Sequence, residues 1–147
     1  MENIQQQIIK RSKNSTGLKL LIYLGDYIDR GSKVKETIDT IINFRPKSFK
    51  CVFLRGNHDQ MLLDFVNNKR NSLGTWLYNG GAATLKSYCG SAIANKLNNS
   101  SSREQSIREI LIKNLPFSHL KFFKDLQFEA FVNDMEQSKV DSTNFTR

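Results

Sequence analysis

Cysteine and long apolar runs are both scarce in this chain. Cys51 and Cys89 are its only cysteines, and they do not form a C-x-x-C pair. Two isolated thiols argue against a disulfide framework or a cysteine zinc site, and fit reduced, buried residues of a cytoplasmic protein. The longest apolar stretches, around residues 18–24 and 110–112, fall well short of the ~20 residues needed to span a bilayer. No membrane association is therefore expected. The first residues, Met1-Glu2-Asn3-Ile4, carry an acid and then glutamines instead of a basic region leading into an apolar one, so no secretory signal is visible. Proline occurs twice, at Pro46 and Pro116, each where a helical pattern stops.

What remains fits one globular domain. The chain has 147 residues, 39% hydrophobic and 24% charged, which is too apolar for wholesale disorder. Lys plus Arg number 22 against 14 Asp plus Glu, a formal charge of +8. That balance favours an anionic partner, whether phosphate ester, nucleic acid or acidic protein surface. The basic residues are scattered, which argues against nucleic acid. The run Lys10, Arg11, Lys13 reads as a solvated helix end, where positive charge suits the dipole.

The hydrophobic pattern alternates between two periods. Ile4, Ile8 and Ile9 share one helical face, and Asn14-Ser15-Thr16-Gly17 is turn chemistry that ends this helix. Residues 18–24 then read as a buried strand. Val34, Ile38, Ile41 and Ile42 recur at helical spacing as far as Pro46, residues 49–54 read as a second buried strand, and Met61, Leu62, Phe65 and Val66 mark another helix. Strand, helix, strand, helix is the pattern of a βαβ unit with parallel strands, and so of the α/β class. Beyond residue 67 the pattern is helical and loop-rich. Residues 98–102 form a polar linker. Ser101 and Glu104 have capping-box spacing ahead of Ile107, Ile110 and Leu111. After Pro116, Phe122, Phe123 and Leu126 suggest a last helix. One domain over residues 1–132 is expected, with 133–147 a disordered tail.

Two loops carry candidate chemistry. Gly25-Asp26-Tyr27-Ile28-Asp29-Arg30-Gly31 follows the first strand, and Arg55-Gly56-Asn57-His58-Asp59 follows the second. In an open parallel sheet, ligands bind at that edge. Asp26 and Asn57 offer hard oxygen donors that suit Mn²⁺, Mg²⁺ or Fe²⁺. Arg30 and Arg55 carry planar forks that match phosphate oxygens. His58, oriented by a carboxylate such as Asp29, is suited to protonate a leaving oxygen. Gly25, Gly31 and Gly56 allow sharp turns and close backbone approach. One such loop would be an ordinary polar turn as often as not; two, one βαβ unit apart, point to metal-assisted hydrolysis of a phosphate ester.

These two loops resemble the second and third motifs of the calcineurin-like metallophosphoesterases, the superfamily that includes the serine/threonine protein phosphatases. The resemblance continues through Trp76, Asn79-Gly80-Gly81, Thr84-Leu85 and Ser87-Tyr88, in the manner of bacterial protein phosphatases or diadenosine tetraphosphatases, and covers about residues 2–126. It implies an αββα sandwich and a divalent metal pair, Mn²⁺ first among candidates, with Fe²⁺, Zn²⁺ or Mg²⁺ as alternatives. It also implies a phosphorylated protein or nucleotide as substrate. On this pattern Asp26 bridges the metals, Asn57 binds the second, His58 is the acid oriented by Asp29, Arg30 grips phosphate and Arg55 supports. Ser32 and Asp59 stand where the family more often has Pro and Glu.

The pattern is matched only in part. Family members begin with a strand ending in Asp-x-His, and supply further His ligands late in the chain. Here the first Asp is Asp26, no His precedes His58 and none follows His119. Of six metal-ligating side chains in the family's pattern, Asp26 and Asn57 are the two matched. The expectation is a partial sandwich, a βαβ core with a C-terminal helical segment, truncated at both ends and with impaired or no activity alone. A complementing chain, self-association through exposed sheet edges, or a non-catalytic binding role are the corresponding alternatives. His119 is expected to pack or cap instead of binding metal, Asp125 and Asp134 to lie on the surface, and Trp76 and Tyr78 to sit in the core or at the site rim.

Overall fold

The structure is a computed structural model that describes residues 2–93 and 103–130. Helix α1 (Glu2–Arg11) leads into strand β1 (Lys19–Tyr23), helix α2 (Val34–Asn43), strand β2 (Phe49–Phe53) and helix α3 (Asn57–Val66). Helices α4 (Ser72–Tyr78) and α5 (Ala82–Cys89) follow, then a 3₁₀ turn over Gly90–Ile93, helix α6 (Arg103–Asn114) and helix α7 (Phe117–Asp125). No helix among the described residues is long and apolar enough to cross a membrane. The expected linker at 98–102, the tail at 133–147 and Asp134 lie outside the described residues.

β1 and β2 pair in parallel, Lys19 opposite Phe49 through Tyr23 opposite Phe53. α2 makes the crossover, and it does so because Val34, Ile38 and Ile41 fall on one side and are all buried. The far edge of β2 is taken up after α7, where Leu54 and Gln127 form a parallel bridge. The Gln127 amide donates to Phe53 at 3.0 Å, and the Gln127 carbonyl accepts from Arg55 at 2.7 Å. The result is a mixed α/β fold with one small parallel sheet, consistent with part of a metallophosphoesterase sandwich. A second sheet is not present among the described residues.

The main core lies among the helices. Trp76, Phe65, Leu62, Leu85, Ile107, Leu111 and Phe123 have essentially no exposed surface. Pro116 starts α7 as the pattern predicts, because its fixed φ suits the residue before a helix and it needs no amide partner there. Tyr23 stacks on Phe53, and Phe53 meets the edge of Phe122, so one sheet face is joined to α7 through aromatic rings.

Three expectations need correction. The strands are half-buried, not buried: Ile22 of β1 is exposed, Leu24 just beyond it is almost wholly so, and Val52 is the one buried residue of β2. In α1 the isoleucine stripe is not the packed face, since Ile4 and Ile9 are exposed while Gln5 is buried. Periodicity identifies an apolar face but not which face of the helix is packed. Finally, of the two thiols only Cys89 is buried; Cys51 is half-buried.

Candidate active site

The loops after β1 and β2 meet backbone to backbone. Gly25 has φ +98°, and a side chain there would collide with the Gly56 amide. A side chain at Gly56 would in turn collide with the Asp26 carboxylate and amide. Both positions require glycine for space, and Gly25 also for its conformation. Gly31 is different. It lies outside the left-handed region, and a Cβ there would meet only the Asp29 carbonyl, at an ordinary 3.8 Å. The left-handed conformations fall instead on Asp26 (φ 54°), Asp29 (φ 71°) and Arg30 (φ 60°). Three non-glycine residues held at positive φ in one loop is stored backbone strain, of a kind that clusters at functional sites.

A buried carboxylate opposes that strain. Asp59, in the first turn of α3, has no exposed surface. Its Oδ2 accepts from the amides of Asp26 and Gly56, both at 2.9 Å, and its Oδ1 accepts from the Tyr27 amide at 3.1 Å. Burial pushes this carboxyl up to about 6, the three amide donors pulling the other way. Asp26 answers across the interface, its Oδ1 accepting from the His58 amide at 3.1 Å. Tyr27 seals the back of the loop. Its hydroxyl donates to the carbonyls of Tyr23 or Leu54, and burial raises its pKa.

The same geometry joins His58 to Asp29. His58 Nδ1 lies 2.7 Å from Asp29 Oδ2, and the Asp29 side chain has no exposed surface. Asp29 also accepts from the Trp76 indole and from the Thr84 hydroxyl. Arg30 is exposed next to this pair, its amide reaching the Gly80 carbonyl at 3.4 Å. Asn57 and Asp26 are also exposed at this edge of the sheet.

Arg55 faces away from this group and closes the end of α7. Its guanidinium donates to the carbonyls of Phe123, Lys124 and Leu126 and to Gln60, and lies 4.6 Å from the centre of the Phe128 ring. Helix-end carbonyls lack intrahelical partners, and a cation suits that end of the dipole. His119 is buried between the Tyr88 hydroxyl, 2.8 Å from Nδ1, and Asp39, 2.9 Å from Nε2. It is a packing histidine tying α7 to α5 and α2. Asp125 is exposed and paired with Lys121 at 2.6 Å. Tyr78 is exposed and Trp76 is core.

A profile of the calcineurin-like phosphoesterases matches residues 2–141. The chain belongs to the calcineurin-like phosphoesterase family. No curated protein and no solved structure matches it.

Calcineurin-like phosphoesterases typically bind a divalent metal pair. Asp26 and Asn57 have the right donor chemistry, an exposed carboxylate and an exposed amide oxygen at the sheet edge. Among the described residues, no group of three or more His, Cys, Asp or Glu is arranged to hold a metal ion. Two side-chain donors do not hold such an ion against water, since these cations take about six ligands. The described part of this calcineurin-like domain thus presents a compatible but incomplete donor set.

Thr84, Trp76 and Asp59 each have a role here that sequence reasoning did not assign. Trp76 and Thr84 lay within the stretch of family resemblance, which was their only signal. Asp59 had one in its position, third in a helix after a glycine cap, where a carboxylate reaches back to a free amide.

Proposed function

We propose that this chain acts in the metal-dependent hydrolysis of phosphate esters, with His58 as the proton donor and Arg30 as the phosphate-gripping side chain. Membership in the calcineurin-like family supports a phosphoesterase function. The observation that carries the finer reading is the 2.7 Å contact between His58 Nδ1 and Asp29 Oδ2, beside an exposed arginine. A carboxylate on Nδ1 leaves Nε2 as the nitrogen that meets the substrate. Protonation of the leaving oxygen from that position is worth typically 10²–10⁴-fold. Arg30, held at positive φ, projects its fork from a fixed backbone, which orients the ester without a search through rotamers of the loop.

Asp26 and Asn57 would hold the metal pair, Mn²⁺ by preference, with the remaining donors coming from outside the described residues, from this chain or a second one. When bound, such a pair supplies an activated hydroxide and neutralises charge on the phosphoryl oxygens. Full activity therefore depends on completing that donor set. Exposed Leu18, Ile22 and Leu24 around β1 supply an apolar surface on which a completing strand would settle. The substrate is a phosphorylated protein or a nucleotide, and the setting cytoplasmic, in keeping with two free thiols.

The test is a series of phosphate esters of increasing leaving-group pKa, hydrolysed with Mn²⁺ present. Replacing His58 by Ala should hurt the poorest leaving groups most, and replacing Arg30 by Ala should raise KM across the series. A uniform loss in the His58 variant would remove it as the acid.

A further inference from the structure

Four hydrogen bonds converge on the buried carboxylate of Asp29, and only one of them comes from His58. The Trp76 indole Nε1 lies 3.1 Å from Oδ1 and 3.0 Å from Oδ2, straddling the carboxylate. The Thr84 hydroxyl donates to Oδ1 at 2.6 Å and accepts from the Asp29 amide at 3.0 Å. Thr84 thus closes a ring that ties the Asp29 side chain to its own backbone, which sits at φ 71°. The donors are themselves immobilised. Trp76 and Thr84 have no exposed surface. The indole also packs against Phe65, with ring centres 5.4 Å apart, and lies so close under Gly81 that a Cβ there would come within 2.7 Å of it.

A buried indole N–H ordinarily finds some acceptor, and a buried carboxylate needs donors. Those needs alone do not require one carboxylate to receive both groups. With Trp76 and Thr84 in place, Oδ2 keeps a single direction open, the one His58 Nδ1 occupies at 2.7 Å.

We propose that Trp76 and Thr84 are positioning residues that fix the plane of the Asp29 carboxylate, and through it hold the His58 ring in the Nδ1–H tautomer. This rests on the reading of His58 as proton donor, because a ring that keeps its Nδ1 proton on Asp29 takes up and gives away its second proton at Nε2.

The chain's two histidines and single tryptophan make the test direct. Long-range ¹H–¹⁵N spectra of the imidazoles, recorded above the pH at which the rings lose their protons, report each tautomer separately. His58 is expected as the Nδ1–H form in the unmodified chain. In the double variant Trp76→Phe, Thr84→Val the Nε2–H form should rise about tenfold or more, as befits loss of hydrogen bonds to a charged acceptor. His119, tied to Tyr88 and Asp39, should keep its signals and so report that the fold is intact. Should the double variant not fold, the single pair decides: Thr84→Ser, which keeps the hydroxyl, should match the unmodified chain, and Thr84→Val should not. An unchanged His58 tautomer in a folded Thr84→Val or double variant overturns the proposal. The spectra need no turnover. An inactive chain with the expected shifts would count against the hydrolytic reading alone, and an active chain with an unmoved tautomer against the clamp alone.

Discussion

The Asp59 carboxylate holds the Asp26 amide at 2.9 Å across a separation of 33 residues in sequence. That bond, with those to Tyr27 and Gly56, turns two strand-end loops into one rigid unit. Asp26 is kept at positive φ where its carboxylate meets the His58 amide.

Replacing Asp59 by Ala leaves three amides without their acceptor. These bonds are part-buried, and burial opposes the charged carboxylate, so the net loss should be about 1–3 kcal/mol. Asp59→Asn, which keeps one acceptor oxygen, should cost less. Chemical denaturation of the three proteins checks this, and an Ala variant within about 0.5 kcal/mol of the original would contradict it.

Glycine substitutions should separate by location. Gly74 lies in α4 with open space around its Cβ position, so Gly74→Ala should stabilise by about 0.5–1 kcal/mol through helix propensity. Gly56→Ala forces a methyl group into Asp26 and should cost about 2–4 kcal/mol. Opposite signs in thermal melts are the expected outcome.

The fold was legible in the sequence where periodicity coincided with a chemical stop signal. The βαβ order, the end of α2 before Pro46 and the break at Pro116 all follow from residue spacing and proline stereochemistry. The Ile4 and Ile9 stripe misleads, because a row of apolar residues does not say which face of the helix is covered. The two candidate loops were legible from their chemistry and their place after the strands. Their internal support was not. Asp29 is joined to Trp76 and Thr84 over 47 and 55 residues, and no local pattern encodes such a contact. Glycine is the residue expected at positive φ, yet Asp29 and Arg30 make the turn and Gly31 does not, because tertiary contacts override that preference here.

Both thiols should be sluggish, in a fixed order. Burial pushes Cys89 up to about 11 and also raises Cys51, which is only half-buried. At about pH 8 the thiolate fraction of Cys89 is on the order of 0.1%, so alkylation should label Cys51 first and Cys89 at speed only in denaturant. Faster labelling of Cys89 in the folded protein would contradict the placement of α5.

His119 should matter for stability and not for chemistry. Tyr88→Phe removes the hydroxyl that lies 2.8 Å from its Nδ1 and should cost about 1–2 kcal/mol. His119→Ala adds a cavity and should cost about 2–4 kcal/mol. Loss of metal-dependent turnover in a His119 variant that remains folded would show that this residue belongs to the site after all.

The most direct measurement is hydrolysis of an aryl phosphate with excess Mn²⁺, comparing the chain with its Asp26→Asn and His58→Ala variants. The expected result is Mn²⁺-dependent turnover that falls at least about tenfold in Asp26→Asn and about a hundredfold or more in His58→Ala. Turnover that survives both substitutions, or none at any Mn²⁺ concentration in the unmodified chain, would contradict it.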